Sequence, residues 1–423
     1  MNIIIFEDGL HDNFYPFSLT RPLWELRSGL FSFRERIELF VRKDGRLKGS
    51  SIHFFTREYL APYFRERYPQ ASINDYTVFD RDGEFLFLNA VKYPSVSDFA
   101  IAQNSAVILG PVPVVVRVDG SMIKKPVDSI PTMLMRLGLA TTDYYEQYEG
   151  EGKGRKADFI WDLMNWNPEI LRDDYRLAGY AGNGASRKDV TISGDATQVY
   201  IEDGVKIDPY VFFDATEGPI VIGRGVRINS FSRIEGPSVI GRESMIFGAK
   251  IRSGTSIGEC CRVGGEIEQS IFHGYSNKYH DGFIGHSYMG EWINMGALTT
   301  NSDLKNNYAN VKVYTPGSRK KTGLRKVGCF MGDFVKTSIG TLINTGTSIG
   351  PGAMLVHAGM LTPFHVPPFS WYMNGDISRS VQLDDFISTC GEAMGRRNVA
   401  VTDSFTDMMR TVYAMTTTER DRP

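Results

Sequence analysis

Isoleucine returns at every sixth residue through the middle of this chain: Ile222, Ile228, Ile234, Ile240 and Ile246, then, after a one-residue slip, Ile251, Ile257 and Val263. A helix brings a side chain back to one face after about 3.6 residues and a strand after two, so neither alone produces the step. Glycine follows the apolar residue in Ile222-Gly223, Ile240-Gly241, Ile257-Gly258 and Val263-Gly264. This short period predicts a parallel β-helix of hexapeptide repeats. Each hexapeptide gives one flat face and a turn, and stacked coils bury a continuous core. Weaker registers reach back to Val199, Val205 and Val211 and forward through Ile339 to Ile349-Gly350. A sandwich of strands would space its turns about eight to twelve residues apart.

Of the 43 glycines, 12 fall in residues 1–180 and 31 in 181–423, so the two parts follow different backbone rules. In the first, the apolar runs Ile3–Phe6, Ser51–Phe55, Phe85–Leu88 and Val112–Val118 read as buried strands. Between them lie helix-compatible stretches such as Trp24–Lys43 and Thr132–Leu139. That alternation predicts an α/β sandwich with a largely parallel sheet. The glycine-rich stretch at residues 181–186 sets the expected boundary, giving domains 1–182 and 183–376. Beyond residue 376 the spacing of Leu383, Phe386, Ile387, Cys390 and Met394, then of Phe405, Met408, Met409, Val412 and Tyr413, predicts two amphipathic helices in a tail, 377–423. They are expected to pack on the prism or on a neighbouring subunit.

A net charge of −2 argues against nucleic acid or an anionic membrane as partner, because phosphate-backbone binding needs a concentrated basic excess. No run of about 18 apolar residues occurs, and the first residues lack the basic flank of a signal peptide. Cys260, Cys261, Cys329 and Cys390 form no CxxC pair, which suits a reducing cytoplasm.

The segment running from His280-Asp281-Gly282-Phe283-Ile284-Gly285-His286 through Gly290 to Asn294-Met295-Gly296-Ala297 resembles the catalytic coil of hexapeptide-repeat acyltransferases. The order of domains resembles the bifunctional bacterial enzymes that join a sugar nucleotidylyltransferase to a C-terminal acetyltransferase. The similarity covers roughly residues 190–370. It implies a left-handed β-helix, a homotrimer with acyl-donor clefts between subunits, and acetyl-CoA as co-substrate. It also implies His280 as catalytic base, for neutral imidazole can take a proton from an amine near pH 7. Arg252 would pair with a sugar 1-phosphate, Glu268 would line the sugar pocket and Asn294 would hold the sugar. Ala297, Arg325 and Lys326 would meet the acyl donor; the basic loop 319–326 reads equally as a solvated loop. His286, one hexapeptide later and so on the next face, is the alternative base. Phe283 stands where the family has tyrosine and Ser270 where it has lysine, a place Lys278 could fill.

The N-terminal part lacks the glycine-rich phosphate loop of nucleotidylyltransferases: strand Ile3–Phe6 leads into Glu7-Asp8-Gly9. Its Thr20-Arg21-Pro22 motif resembles a divergent group fused to the same β-helix, a Rossmann-like α/β domain using Mg²⁺. Arg21 and Arg27 would then bind phosphate, or else form ion pairs with Glu25 or Glu35. Asn89, at a strand end where a metal carboxylate commonly sits, and Asn165 are candidate sugar or nucleotide contacts. The expected function is acetylation of an amino-sugar 1-phosphate followed by nucleotidyl transfer from an NTP, giving a UDP-N-acetylglucosamine-like product. A nucleotidylyltransferase whose β-helix only assembles it, and a non-catalytic subunit sensing sugar nucleotides, are the two other readings.

Overall fold

The computed structural model describes all residues except 110–111, 125–126, 128, 138–139, 143–154, 185–189, 357–358, 374 and 422–423. Ala185 and Ser186 of the glycine-rich stretch, and Gly138 and Leu139, therefore lie outside the described residues. Two compact units emerge: Met1–Asp12, Arg21–Leu26 and Phe31–Asp158 form the first, and Asn13–Thr20, Arg27–Leu30 and Phe159–Pro423 the second. The units part at residue 158, ahead of the glycine-rich stretch, because helix Ile160–Ala178 packs on the β-helix.

The first unit is built on a seven-stranded sheet. Asn2–Phe6 lies between Ser51–Phe54 and Glu84–Asn89, parallel to both, and all five of its residues are buried. A strand covered on both faces reads as an unbroken apolar run, which is how Ile3–Phe6 stands out in the sequence. The sheet turns antiparallel at Val112–Asp119, which pairs with Glu84–Asn89 on one side and Ser105–Leu109 on the other. The helix expected over Trp24–Lys43 starts only at Phe33. Ser32 caps it: its hydroxyl accepts from the Glu35 amide at 3.2 Å, and the Glu35 carboxylate accepts from the Ser32 amide at 2.8 Å.

In the second unit the six-residue step is realised as stacked parallel coils. One ladder runs Ile201, Ile222, Ile240, Ile257, Phe272, Met289, Met331, Ile349, Val366, each paired in register with the next. All are buried in one continuous core. Ile339 departs from the expected register. It is 69% exposed on a turn, and the inward positions around it are Val335 and Ile343. Tyr288 pairs with Phe330 across the segment that breaks the repeat, which is thrown out as an antiparallel hairpin, Lys312–Thr315 with Ser318–Lys321. The tail forms helices Leu383–Gly395, Asp403–Met415 and Thr417–Asp421, one more than expected. They pack on the prism through Phe334, Phe369, Phe386 and Phe405. Among the described residues no helix is long and apolar enough to cross a membrane.

The glycines after the ladder positions mark where one coil's backbone presses on the next. A Cβ at Gly258 would stand 2.0 Å from the His273 carbonyl oxygen, a backbone atom that cannot step aside. Gly258→Ala is expected to destabilise the β-helix by roughly 1–3 kcal/mol. Urea unfolding followed by far-UV circular dichroism would measure it.

Candidate functional site

His280 lies at a corner of the prism. The strands on either side of it, Asn277–Lys278 and Phe283–Gly285, both pair with the long strand Arg262–Glu268, which bends around the same corner. The imidazole is exposed, its ring 4.9 Å from that of Tyr279, which in turn packs on Phe247 at 4.0 Å. Gly282 closes the turn at φ +129°, and a Cβ there would meet the Thr299 carbonyl at 2.1 Å, so only glycine serves. Its carbonyl accepts from the Glu266 amide at 3.1 Å, tying the corner to the adjoining face.

That face carries the charged cluster. Arg252 stands 3.2 Å from Glu266, 3.7 Å from Glu268 and 3.9 Å from Glu235. The hydrogen bond to Glu266 raises its pKa further. Lys326 reaches Glu268 at 3.2 Å. Thus Arg252, Glu268 and Lys326, far apart in sequence, meet here; Glu266, the nearest partner of Arg252, is one the sequence reading passed over. His286 is buried beside them, and its Nδ1 lies 2.7 Å from Asp303. Burial pushes the Asp303 carboxyl up, but the hydrogen bond from His286 and the nearby Lys326 ammonium outweigh it and hold it below its ordinary value. An ionised carboxylate can only accept, so His286 Nδ1 is the donor of this hydrogen bond. The pair is framed by backbone. Asn301 accepts from the Gly285 amide and donates to its carbonyl, while the Val327 and Gly328 amides donate to the carbonyls of Asp303 and His286. A Cβ on Gly285 would sit 2.7 Å from the Asp303 carboxylate.

Other expected contacts lie elsewhere. Asn294 aligns with Asn277 and Lys336 on the face reached from the other side of the corner. It lines a cavity of about 270 Å³ with Trp292, Lys336, Arg396 and Arg397. Ala297 follows it, half-buried, and Arg325 is exposed on the basic loop. Ser270 turns inward, its hydroxyl donating to the Glu268 carbonyl at 2.8 Å. Phe283 is half-buried, its amide donating to the Thr300 hydroxyl at 3.2 Å. Lys278, the expected substitute for a missing lysine, does not reach the surface at all: it is 1% exposed.

In the first unit the candidate side chains gather at the carboxyl ends of the parallel strands, where open α/β sheets bind their ligands. Glu7 receives the Leu23 amide, the Thr56 hydroxyl at 2.8 Å and Arg57 at 3.2 Å, and Arg57 also donates to the Arg21 carbonyl at 2.8 Å. Asp8 accepts from Asn89 at 2.7 Å and from the Leu10 amide at 2.8 Å. Asn89 is therefore a partner of the strand-end carboxylate. Arg21 is 2% exposed, so its guanidinium is not offered to solvent. Arg27 belongs to the second unit, where its amide and carbonyl both bond the Tyr288 hydroxyl at 2.8 and 2.9 Å. Asn165 is exposed; two residues on, the buried Asn167 accepts from the Gly29 amide and donates to Gly254 and Ser256. Among the described residues no three His, Cys, Asp or Glu side chains converge as a metal cage. Asp8 fits only a Mg²⁺ ion that takes its remaining oxygens from phosphates and water.

Residues 3–180 match the model of the sugar nucleotidyl transferase family. Over 96 residues the chain is 34% identical to a bifunctional sugar-1-phosphate nucleotidylyltransferase/acetyltransferase of Sulfurisphaera tokodaii, covering 21% of this chain and 24% of that protein. Over 156 residues it is 28% identical to the bifunctional protein GlmU of Rippkaea orientalis, covering 31% and 34%. The chain thus spans about a quarter to a third of the length of these curated relatives. Among solved structures, a perosamine N-acetyltransferase of Caulobacter crescentus aligns at 12% identity over 89% of this chain and 97% of that one, with a TM-score of 0.16.

Proposed function

We propose that the chain is a bifunctional transferase of sugar-nucleotide synthesis. The β-helix unit would acetylate an amino-sugar 1-phosphate with acetyl-CoA, and the first unit would transfer a nucleotidyl group from an NTP to the sugar phosphate. The observation that carries this reading is the meeting of Arg252, Glu268 and Lys326 on the face tied to the His280 corner. In the acetyl step the amine attacks the thioester carbonyl, an N–C bond forms, the C–S bond breaks and His280 takes the amine proton for delivery to the departing thiolate. Arg252 would exchange Glu266 for the phosphate, and His286 would meet a sugar hydroxyl. Asp8, steadied by Asn89, would face the NTP; Mg²⁺ bound there would offset phosphate charge. Ala297, Arg325 and Lys326 would meet the acyl donor, and Asn294 the sugar. Exposed Tyr210 and Phe231 stack 5.7 Å apart, which supports assembly of copies; a homotrimer in the cytoplasm belongs to the same proposal.

The test is an assay of the full chain with acetyl-CoA, UTP or dTTP and a panel of hexosamine 1-phosphates, read separately for free thiol and pyrophosphate. Both signals are expected from one sugar. No thiol from any amino sugar would sink the acetyltransferase reading. Ligand binding with neither product would favour a sensing subunit, the reading to which the buried Arg21 belongs.

A further inference from the structure

One inward ladder of the prism runs Ile207, Ile228, Ile246, Val263, and the next position in register is Lys278. Asn277 pairs with Asn294, which puts the buried Met295 on the following coil. An ammonium thus occupies a slot that the repeat otherwise fills with methyl groups. Its Nζ donates to the main-chain carbonyl of His280 at 2.5 Å, the one hydrogen bond it makes among the described residues. No described carboxylate comes within ion-pair distance. Gly265, at φ +72°, leaves the passage open: a Cβ there would stand 2.7 Å from Nζ.

An isolated cation inside an apolar stack is expensive, and an uncharged chain of similar length would fill the slot without that cost. Burial pushes the ammonium down to about 8, with the Asp281 charge pulling the other way. What the cost secures is contact with one atom, the carbonyl of the residue whose imidazole stands at the corner. We propose that Lys278 is a positioning residue for acetyl transfer, holding the His280 turn from inside the prism. The inference rests on the acetyl-transfer reading above. A reacting group displaced by about 1 Å can lose on the order of 100-fold in rate, so anchoring the turn is worth a buried charge.

Lys278→Met keeps length and removes charge. In the full chain the variant is expected to melt at or above the wild-type temperature, to keep KM for acetyl-CoA and the amino sugar within about twofold, and to lose kcat for thiol release by about 10- to 100-fold. A variant with wild-type kcat overturns the proposal. So does one whose kcat falls together with its melting temperature, which would make Lys278 structural, or one whose KM rises in its place. A wild-type protein that releases no thiol from any amino sugar overturns the acetyl-transfer reading itself. Turnover by the wild type with an unaffected Lys278→Met overturns only the positioning role.

Discussion

His280→Ala is expected to lower thiol release from acetyl-CoA by about 10²–10⁴-fold while pyrophosphate release from an NTP and sugar phosphate stays within about twofold. The range is what a positioned general base contributes, and the separation follows from placement. His280 is an exposed side chain of the second unit, while the groups around Asp8 and Glu7 belong wholly to the first. Among the described residues the exposed ring makes no hydrogen bond, so its removal should leave the melting temperature unchanged and the loss can be read as chemistry. Initial rates of both signals on one preparation, with kcat and KM separated, provide the measurement. Thiol release that survives intact would remove His280 from the mechanism and turn attention to His286.

The largest expected effect on stability lies in the first unit. Lys92 and Asp98 form an ion pair at 2.6 Å with side chains 1% and 0% exposed. Asp98 also accepts from the Ser95 amide at 2.6 Å, and Lys92 donates to the Tyr93 carbonyl at 3.2 Å. Asp98→Ala would leave an ammonium buried without its counter-charge, which costs about 3–5 kcal/mol. Burial already lowers the pKa of Lys92, with Asp98 pulling against it, and the variant loses that opposing pull. A lysine whose folded pKa is depressed binds fewer protons folded than unfolded, so stability rises with pH. The variant should therefore recover part of its loss as pH climbs from the depressed folded value toward the ordinary lysine value of about 10.4. Denaturant midpoints at pH 7 and pH 10 would show it. A loss that does not shrink at high pH would mean that packing, rather than the stranded charge, sets the cost.

How far the sequence led depends on whether a feature is local. The β-helix was legible because one inward residue per hexapeptide repeats the same instruction, and Ile222, Ile240 and Ile257 follow it in register. It failed at Ile339, where the period persists in the letters but the residue caps a turn. Arg252, Glu268 and Lys326 could be picked from the motif order, yet Asp303 could not. It reaches His286 only because the ejected segment begins beside that coil, and a single aspartate at such a distance carries no periodic signal. A polar letter does not tell whether its side chain faces in or out, and Lys278 and the Asn165–Asn167 pair show it. Lys278 points inward, and beside the exposed Asn165 it is Asn167 that is buried and hydrogen-bonded. The Thr20-Arg21-Pro22 motif is continuous in sequence, whereas Thr20 donates to buried Asp333 at 2.6 Å in the second unit and Arg21 belongs to the first.

That last division reaches beyond chemistry. The β-helix unit counts Asn13–Thr20 and Arg27–Leu30 among its own parts, so the two units are stitched from alternating stretches of the chain's opening residues. Neither half can now be swapped for another like a cassette. A graft taken from residue 159 onward would leave Asp333 without Thr20 and Asn167 without Gly29, so it would have to carry the opening residues with it.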